Sequence, residues 1–225
     1  MLETSTLYQQ LSRDPNHRYE HRVTIAGVPY GMDRITALRI SRSLFSQVSV
    51  GNCCAATLQL TVCKQTDPPK MAEIVVESRV CVRDQTSEYL PRGTFYINTR
   101  KEADGLLTIE AFDAMPKAEA VYFTTGEWED ISMPACAAEI AERMGVTLDP
   151  RTVLHADYMV CFPGDMTMRE VLAYIAAAHG GNWSITPENR LHLTPLFSLP
   201  PETYYMVNEA GDSLLLGGMK WKVKA

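Results

Sequence analysis

Apolar residues in the first half of the chain recur at every second position. In Ala56–Cys63, the residues Ala56, Leu58, Leu60 and Val62 alternate with Thr57, Gln59, Thr61 and Cys63, which predicts a strand with one buried and one polar face. Such one-sided burial points to antiparallel pairing. The same period appears in Val23 and Ile25 and, after an Ala26-Gly27 turn, in Val28 and Tyr30, the pattern of a tight hairpin. Ile35, Leu38 and Ile40 continue the β reading. Asp67-Pro68-Pro69 breaks the chain before Ile74–Arg83, where Val80 and Val82 alternate with Arg79, Cys81 and Arg83. Phe95 and Ile97 alternate with Thr94, Tyr96 and Asn98, and Ala103-Asp104-Gly105 turns the chain into Leu107, Ile109 and Ala111. Ahead of these, residues 5–13 place Leu7, Tyr8 and Leu11 on one side behind a Ser5 cap, a short helix suited to lying on a sheet. About six strands with regular turn signals and no helical crossovers predict a small antiparallel barrel or sandwich.

The period changes from Asp113 onward. AMPKAEA is compatible with a helix, residues 122–131 form a polar, aromatic connection, and Pro134–Met144 carries Ala137, Ile140, Ala141 and Met144 on one face before Gly145. Residues 165–193 read as one complete block. Thr167 and Glu170 have the spacing of a capping box, and Met168, Val171, Leu172, Ile175 and His179 share a helical face that stops at Gly180-Gly181. Trp183 and Ile185, a Pro187-Glu188-Asn189 turn, then Leu191 and Leu193 form a hairpin. The expected fold class is α+β: an antiparallel β-barrel or sandwich over residues 1–118, then a small domain of two helices and a hairpin over 119–200. Residues 201–225 read as two strands around Glu209-Ala210-Gly211-Asp212, with Tyr205 and Val207 on one arm and Leu214, Leu215 and Leu216 on the other. They either return to the barrel or begin a further domain.

Composition narrows the classes. The chain has 225 residues, of which 46% are hydrophobic and 21% charged, an ordinary globular balance that suits one or two domains. No apolar run is long enough for a membrane helix, and the start MLETSTLYQQLSRD lacks the basic-then-apolar layout of a secretory signal. Synthesis and first residence in a cytoplasm are expected, with no membrane partner. A net charge of −6 with interspersed signs argues against bulk attraction to a nucleic-acid backbone, so no specific nucleic-acid partner is expected. The six cysteines, Cys53, Cys54, Cys63, Cys81, Cys136 and Cys161, form no C-x-x-C pair and lie mostly inside apolar patterns, which makes them small buried hydrophobes rather than a disulfide framework.

The helix, double glycine and hairpin of residues 165–193, together with RGTFYINTR (Arg92–Arg100), LLTIEAFDAMPKAEA (Leu106–Ala120), the opening TLYQQL and SRSLFSQVSVGNCCAATLQLTV, resemble in order the N-terminal part of phage and prophage tail hub proteins. That family includes contractile-phage baseplate hubs and siphophage tail-associated proteins. Its members run well beyond the equivalent of Ala225, so a shortened hub, a fragment or a segment of a split hub is expected. The resemblance implies a homotrimeric ring joining the tail tube and distal tail protein to a spike or fibre, with a lumen for the tape-measure protein and DNA. It implies residence in the host cytoplasm during assembly and then in the virion tail. Ring contacts would come from strand edges and loops, and Arg92, Phe95, Tyr96 and Trp128 are the candidate interface residues.

No catalytic pattern emerges beside this. His17, His21, His155, His179 and His192 are too scattered to pair one with a cysteine as base, and phosphate-loop, H-E-x-x-H, G-x-S-x-G and EF-hand patterns are absent from the sequence. Glu127, Glu129 and Asp130 around Trp128 could suit glycoside chemistry, but a solvated connector explains them as well. No enzyme, metal or cofactor is expected. Two rival readings are the non-catalytic part of a tail-associated cell-wall hydrolase, and a receptor- or carbohydrate-binding module that stacks sugars on Tyr89, Tyr96, Tyr122 and Trp128.

Overall fold

The computed structural model describes residues 4–46, 49–122, 130–161 and 165–196, and the short strands at 204–205, 215–216, 219–220 and 222–223. The chain opens with helix α1 (Thr6–Ser12), whose Ser5 hydroxyl accepts the Tyr8 amide at 3.0 Å while Ser5 itself donates to the Glu88 carboxylate. Eight strands follow: β1 (Arg18–Ile25), β2 (Val28–Tyr30), β3 (Ile35–Ser41), β4 (Thr57–Cys63), β5 (Glu73–Val82), β6 (Gln85–Thr86), β7 (Leu90–Ala103) and β8 (Leu106–Phe112). All belong to one antiparallel sheet in the order β2-β1-β5-β7-β8-β4-β3, with β6 paired to β5. The architecture is α+β, and its large sheet is single and open among the described residues, with β2 and β3 at its edges.

Alternation sets this sheet's inner face. Val23, Ile25, Leu58, Leu60, Val62, Ile74, Val76, Phe95, Ile97, Leu107 and Ile109 are almost wholly buried and form one core. The sheet curls over that face: Arg42, just past β3, donates to the Arg92 carbonyl on β7, with β8 and β4 between them in the sheet order. Ile35, Leu38 and Ile40 do not share an even spacing, and a register shift between Ile35 and Ala37 reconciles them. On β5 the same face continues to Val80 and Val82, where Leu11 of α1 covers them.

A second core begins at Ala114. After a 3-10 turn (Met115–Glu119) come β9 (Ile131–Ser132), α2 (Met133–Arg143), β10 (Thr147–Leu148), β11 (Met159–Val160), α3 (Met168–Ala178), β12 (Gly181–Ile185) and β13 (Arg190–Pro195). The capping box at α3 is present, with Thr167 accepting from the Glu170 amide and the Glu170 carboxylate accepting from the Thr167 amide at 2.8 Å. Gly180 ends the helix at φ +61°. Gly181 is needed for a different reason: a Cβ there would lie 2.8 Å from the Thr194 carbonyl across the hairpin. β12 pairs antiparallel with β13, and β10 joins β13 in parallel. Trp183 is fully buried, and its indole N–H donates to the Leu172 carbonyl at 2.7 Å, locking hairpin to helix.

The two cores are joined by the β3–β4 connection. Residues 51–54 lie along β12 as an added parallel edge: Gly51 N–H donates to Gly181 O, Trp183 N–H to Asn52 O, and Cys54 N–H to Trp183 O. Met1–Pro195 is one compact unit and Leu196–Ala225 another. Within the latter, β14 (Tyr204–Tyr205) pairs with β17 (Lys222–Val223), and β15 (Leu215–Leu216) pairs with β16 (Met219–Lys220). The leucine arm therefore turns back on Met219–Lys220, and the expected pairing of Tyr205 with that arm is replaced by one with Lys222.

Candidate interaction surfaces

The candidate interface segment lies on the first half of β7. Leu90–Tyr96 pairs with β5, whereas β8 reaches only to Tyr96, so Leu90–Phe95 has a strand partner on one side alone. Arg92 is half-buried, its guanidinium donating to Ser78 Oγ and, at 3.0 Å, to the Tyr8 hydroxyl. Phe95 points into the sheet core, and Tyr96 packs against the second core with Lys117 Nζ 3.5 Å from its ring centre. Trp128, with Glu127 and Glu129, lies outside the described residues. Gly93 lets Arg42 approach this edge: a Cβ there would sit 2.7 Å from the Arg42 guanidinium and 2.8 Å from the Phe95 ring. The structure thus brings Arg92, Phe95 and Tyr96 together along one strand, with two of the three side chains engaged inside the fold and Phe95 in its core.

The junction between the cores carries buried polar groups that sequence reading missed. Asn182 is fully buried; its Oδ1 accepts the Asn52 amide at 2.8 Å, and its Nδ2 donates to the Leu44 and Ser49 carbonyls at 3.0 and 3.2 Å. Asp113 accepts the Ala56 and Met115 amides at 2.8 and 2.9 Å, and burial pushes its carboxyl up to about 6. A signal for Asp113 existed: it continues the inward parity of Leu107, Ile109 and Ala111, placing a carboxylate on an apolar face. For Asn182 no such signal exists, because its partners lie about 130 residues away.

Groups with catalytic potential are arranged for structure. Burial pushes the Cys53 thiol up to about 12, and the thiols of Cys54, Cys81 and Cys136 are raised by burial too, the opposite of an activated thiolate. Thr152, His192 and Asp149 resemble a relay by residue type, yet the Thr152 hydroxyl at 3.2 Å and the Asp149 carboxylate at 3.9 Å both face the same ring nitrogen, Nδ1. A relay needs opposite nitrogens. Asp149 is instead held well below the usual carboxylate range by the two-pronged guanidinium of Arg151, fixing the turn after β10. His155 and His179 stack at 5.4 Å, and the His155 amide donates to His179 Nε2 at 2.9 Å. Among the described residues no group of His, Cys, Asp and Glu could hold a metal ion.

The aromatic rings considered for sugar stacking already have partners. Arg22 and Arg79 lie 4.3 and 4.8 Å from the Tyr89 ring centre, and Tyr122 is buried with Arg143 5.0 Å from its ring. Those faces are occupied by the chain's own cations.

No protein-family description matches the chain, and no curated protein matches it in sequence. Solved structures do match. The 43 kDa tail protein of prophage MuSo2 from Shewanella oneidensis aligns at 15% identity and a TM-score of 0.53, over 79% of this chain and 56% of that one. The chain shares its fold with that protein over the aligned part. The tail protein from Neisseria meningitidis MC58 is similar at 13% identity and TM-score 0.49, over 92% of this chain and 66% of its own. Prophage tail protein gp18 from Listeria monocytogenes EGD-e is similar at 12% and 0.44, over 78% and 50%. This chain spans roughly half to two thirds of each neighbour's length.

Proposed function

We propose that the chain is a structural component of a phage or prophage tail tip, part of a hub that closes as a homotrimeric ring between the tail tube and a spike or fibre. The observation that carries this reading is the fold similarity to the MuSo2 tail protein over 79% of the chain. Distal tail, tape-measure and spike or fibre proteins are the partners, and the working location is the virion tail after assembly in the bacterial host. Ring contacts run along free strand edges: β3 on one side of the sheet, and the Leu90–Phe95 half of β7, which has one strand partner. Since Arg92 and Phe95 are engaged internally and Arg42 takes up the Arg92 carbonyl, that segment presents Thr94 and its remaining backbone groups to a neighbour.

Light scattering of the purified chain across a wide concentration range tests the ring. A mass of about three chains that stays constant on dilution is expected, because a ring is a closed, saturating assembly. A dimer, an open-ended polymer, or a strict monomer would each overturn self-closure at three.

A further inference from the structure

His179 closes α3 as its C-cap, half-buried, and both of its ring nitrogens are engaged. Nδ1 lies 2.8 Å from the Ile175 carbonyl, which can only accept, so Nδ1 carries the proton. Nε2 lies 2.9 Å from the His155 backbone N–H, which can only donate, so Nε2 carries the lone pair. Two independent contacts therefore require the same species, the neutral imidazole protonated at Nδ1. The partner of this ring is a tight turn, closed by Tyr158 N–H on the His155 carbonyl at 3.3 Å. It packs both of its rings on the histidine, His155 at 5.4 Å and Tyr158 at 5.3 Å between ring centres. The chain on either side of the turn is anchored elsewhere. Ahead of it, Asp149 holds Arg151, Thr152 N–H donates to the Asp149 carbonyl, and the Thr152 hydroxyl meets both Leu193 N–H and His192 Nδ1. Behind it, Met133 N–H donates to the Tyr158 carbonyl at 2.7 Å, and Met159–Val160 pairs with β9.

We propose that this contact is a pH-sensitive latch, in which protonation of His179 releases the turn at residues 155–158 from the end of α3. An imidazolium bears N–H groups at both nitrogens, so Nε2–H would face the His155 N–H, donor against donor. The two sides respond unequally. On α3 the imidazolium keeps its bond to the Ile175 carbonyl and gains from the negative end of the helix dipole, so the ring stays with its helix and the turn lets go. Of the titratable rings that face it, His155 is a second imidazole whose charging adds repulsion, whereas Tyr158 presents a neutral ring. Neither anchor shares this dependence. Asp149 is held well below the usual carboxylate range by Arg151. The Thr152 hydroxyl can donate to a neutral His192 or accept from a charged one, while still accepting Leu193 N–H. Movement is therefore confined to the span between the anchors, which carries Val153 at 80% exposure. The inference does not rest on the tail-tip reading, and its failure would leave that reading intact.

The test uses the full isotope-labelled chain at about pH 8 and about pH 5, either side of the interval in which imidazoles change charge. Long-range proton–nitrogen correlations of the rings should show His179 protonated at Nδ1 alone at the higher pH and as imidazolium at the lower. Amide exchange, corrected for its intrinsic pH dependence, should show protection at His155 falling about fivefold between the two, the scale of one lost hydrogen bond. The anchor amides of Thr152 and Met133 should keep their protection. His179→Gln places a non-titrating carbonyl oxygen where Nε2 stood, so protection at His155 should no longer change with pH, while His192→Gln should respond as wild type does. Four outcomes overturn the latch: His179 protonated at Nε2 alone at the higher pH, wild-type protection that ignores pH, a His179→Gln chain that responds like wild type, or a His192→Gln chain that loses the response. Loss of protection at Thr152 and Met133 together with His155 overturns it as well, by making the change a general loosening of the fold.

Discussion

Leu58, Leu60 and Val62 sit on a seven-residue strand with partners on both sides, whereas Trp183 sits on a five-residue strand whose one outer neighbour is a loop borrowed from the β3–β4 connection. The first core is made by repetition: strand after strand supplies alternate apolar residues to one curled face. The second is made by fitting unlike parts, two helices, a hairpin, a two-residue parallel strand and the added segment 51–54. A repeated pattern distributes burial over many near-equivalent residues. The fitted core spreads burial over turn, helix and hairpin residues of many sizes, with Trp183 and Tyr122 among the largest. The two cores differ in how they are built, and the polar junction decides how far a failure in either one spreads.

The largest effect is expected from Trp183→Ala. It removes a fully buried indole and its bond to the Leu172 carbonyl, a loss of about 3–5 kcal/mol for an aromatic deleted from a core. Phe95→Ala, at an equally buried ring of the sheet, falls in the same range. The contrast lies in where each loss shows. By amide hydrogen exchange, Trp183→Ala should speed exchange at Val171–Ala176 well before Leu58–Val62, and Phe95→Ala should affect both sets together. A single shared transition for Trp183→Ala would mean that the junction couples the cores as strongly as either core coheres.

Asp113, in that junction, gives the comparison a pH handle. Its folded carboxyl is pushed up from 3.8 to about 6, so the folded chain holds this proton more tightly than the unfolded one. The associated stabilisation is complete below the unfolded value and is lost as pH rises through about 6. Across that window it amounts to about 3 kcal/mol, at ~1.36 kcal/mol per pKa unit. The imidazoles of His21 and His192, held low chiefly by burial, act in the opposite sense as pH falls, so the readout is the difference between wild type and Asp113→Asn. Denaturant melts from pH 7 to pH 4 should show wild type gaining on the variant as pH falls. A constant difference would mean that Asp113 titrates as an ordinary exposed carboxyl.

How much of this was legible in the sequence follows the same division. The strands of the sheet could be read because alternation is local: Ala26-Gly27 and Asp104-Gly105, all four at positive φ, turn the two hairpins where the pattern placed them. The capping box and the β12–β13 hairpin were equally local and equally readable. His179 was placed on the apolar face of α3, but it caps the helix half-buried, and Ala176 takes the inner position. β10 and segment 51–54 were not visible because each exists only through a distant partner, Arg190–Leu191 for one and Gly181–Trp183 for the other. Arg92 and Phe95 are interface candidates through the hub resemblance alone, while alternation already sets Phe95 with Ile97 on the apolar face. The helix over Ser78 and the curled sheet engage both.

The smallest of the three effects, and the sharpest test of the junction, is Asn182→Ala. Asn182 bonds the Asn52 amide and the Leu44 and Ser49 carbonyls at once. Losing the side chain takes the Asn182 partner from the Asn52 amide and the Leu44 carbonyl, while the Ser49 carbonyl keeps the Asn52 side-chain amide, at about 1–3 kcal/mol. Neither hydrophobic core loses a contact of its own. If the cores are held together mainly by this polar link, the variant should unfold in two steps, with the Trp183 fluorescence change preceding loss of sheet circular dichroism. If the backbone bonds from Gly51, Trp183 and Cys54 suffice, the variant should keep one transition at a lower midpoint, and the coupling would then belong to the added strand rather than to the asparagine pair.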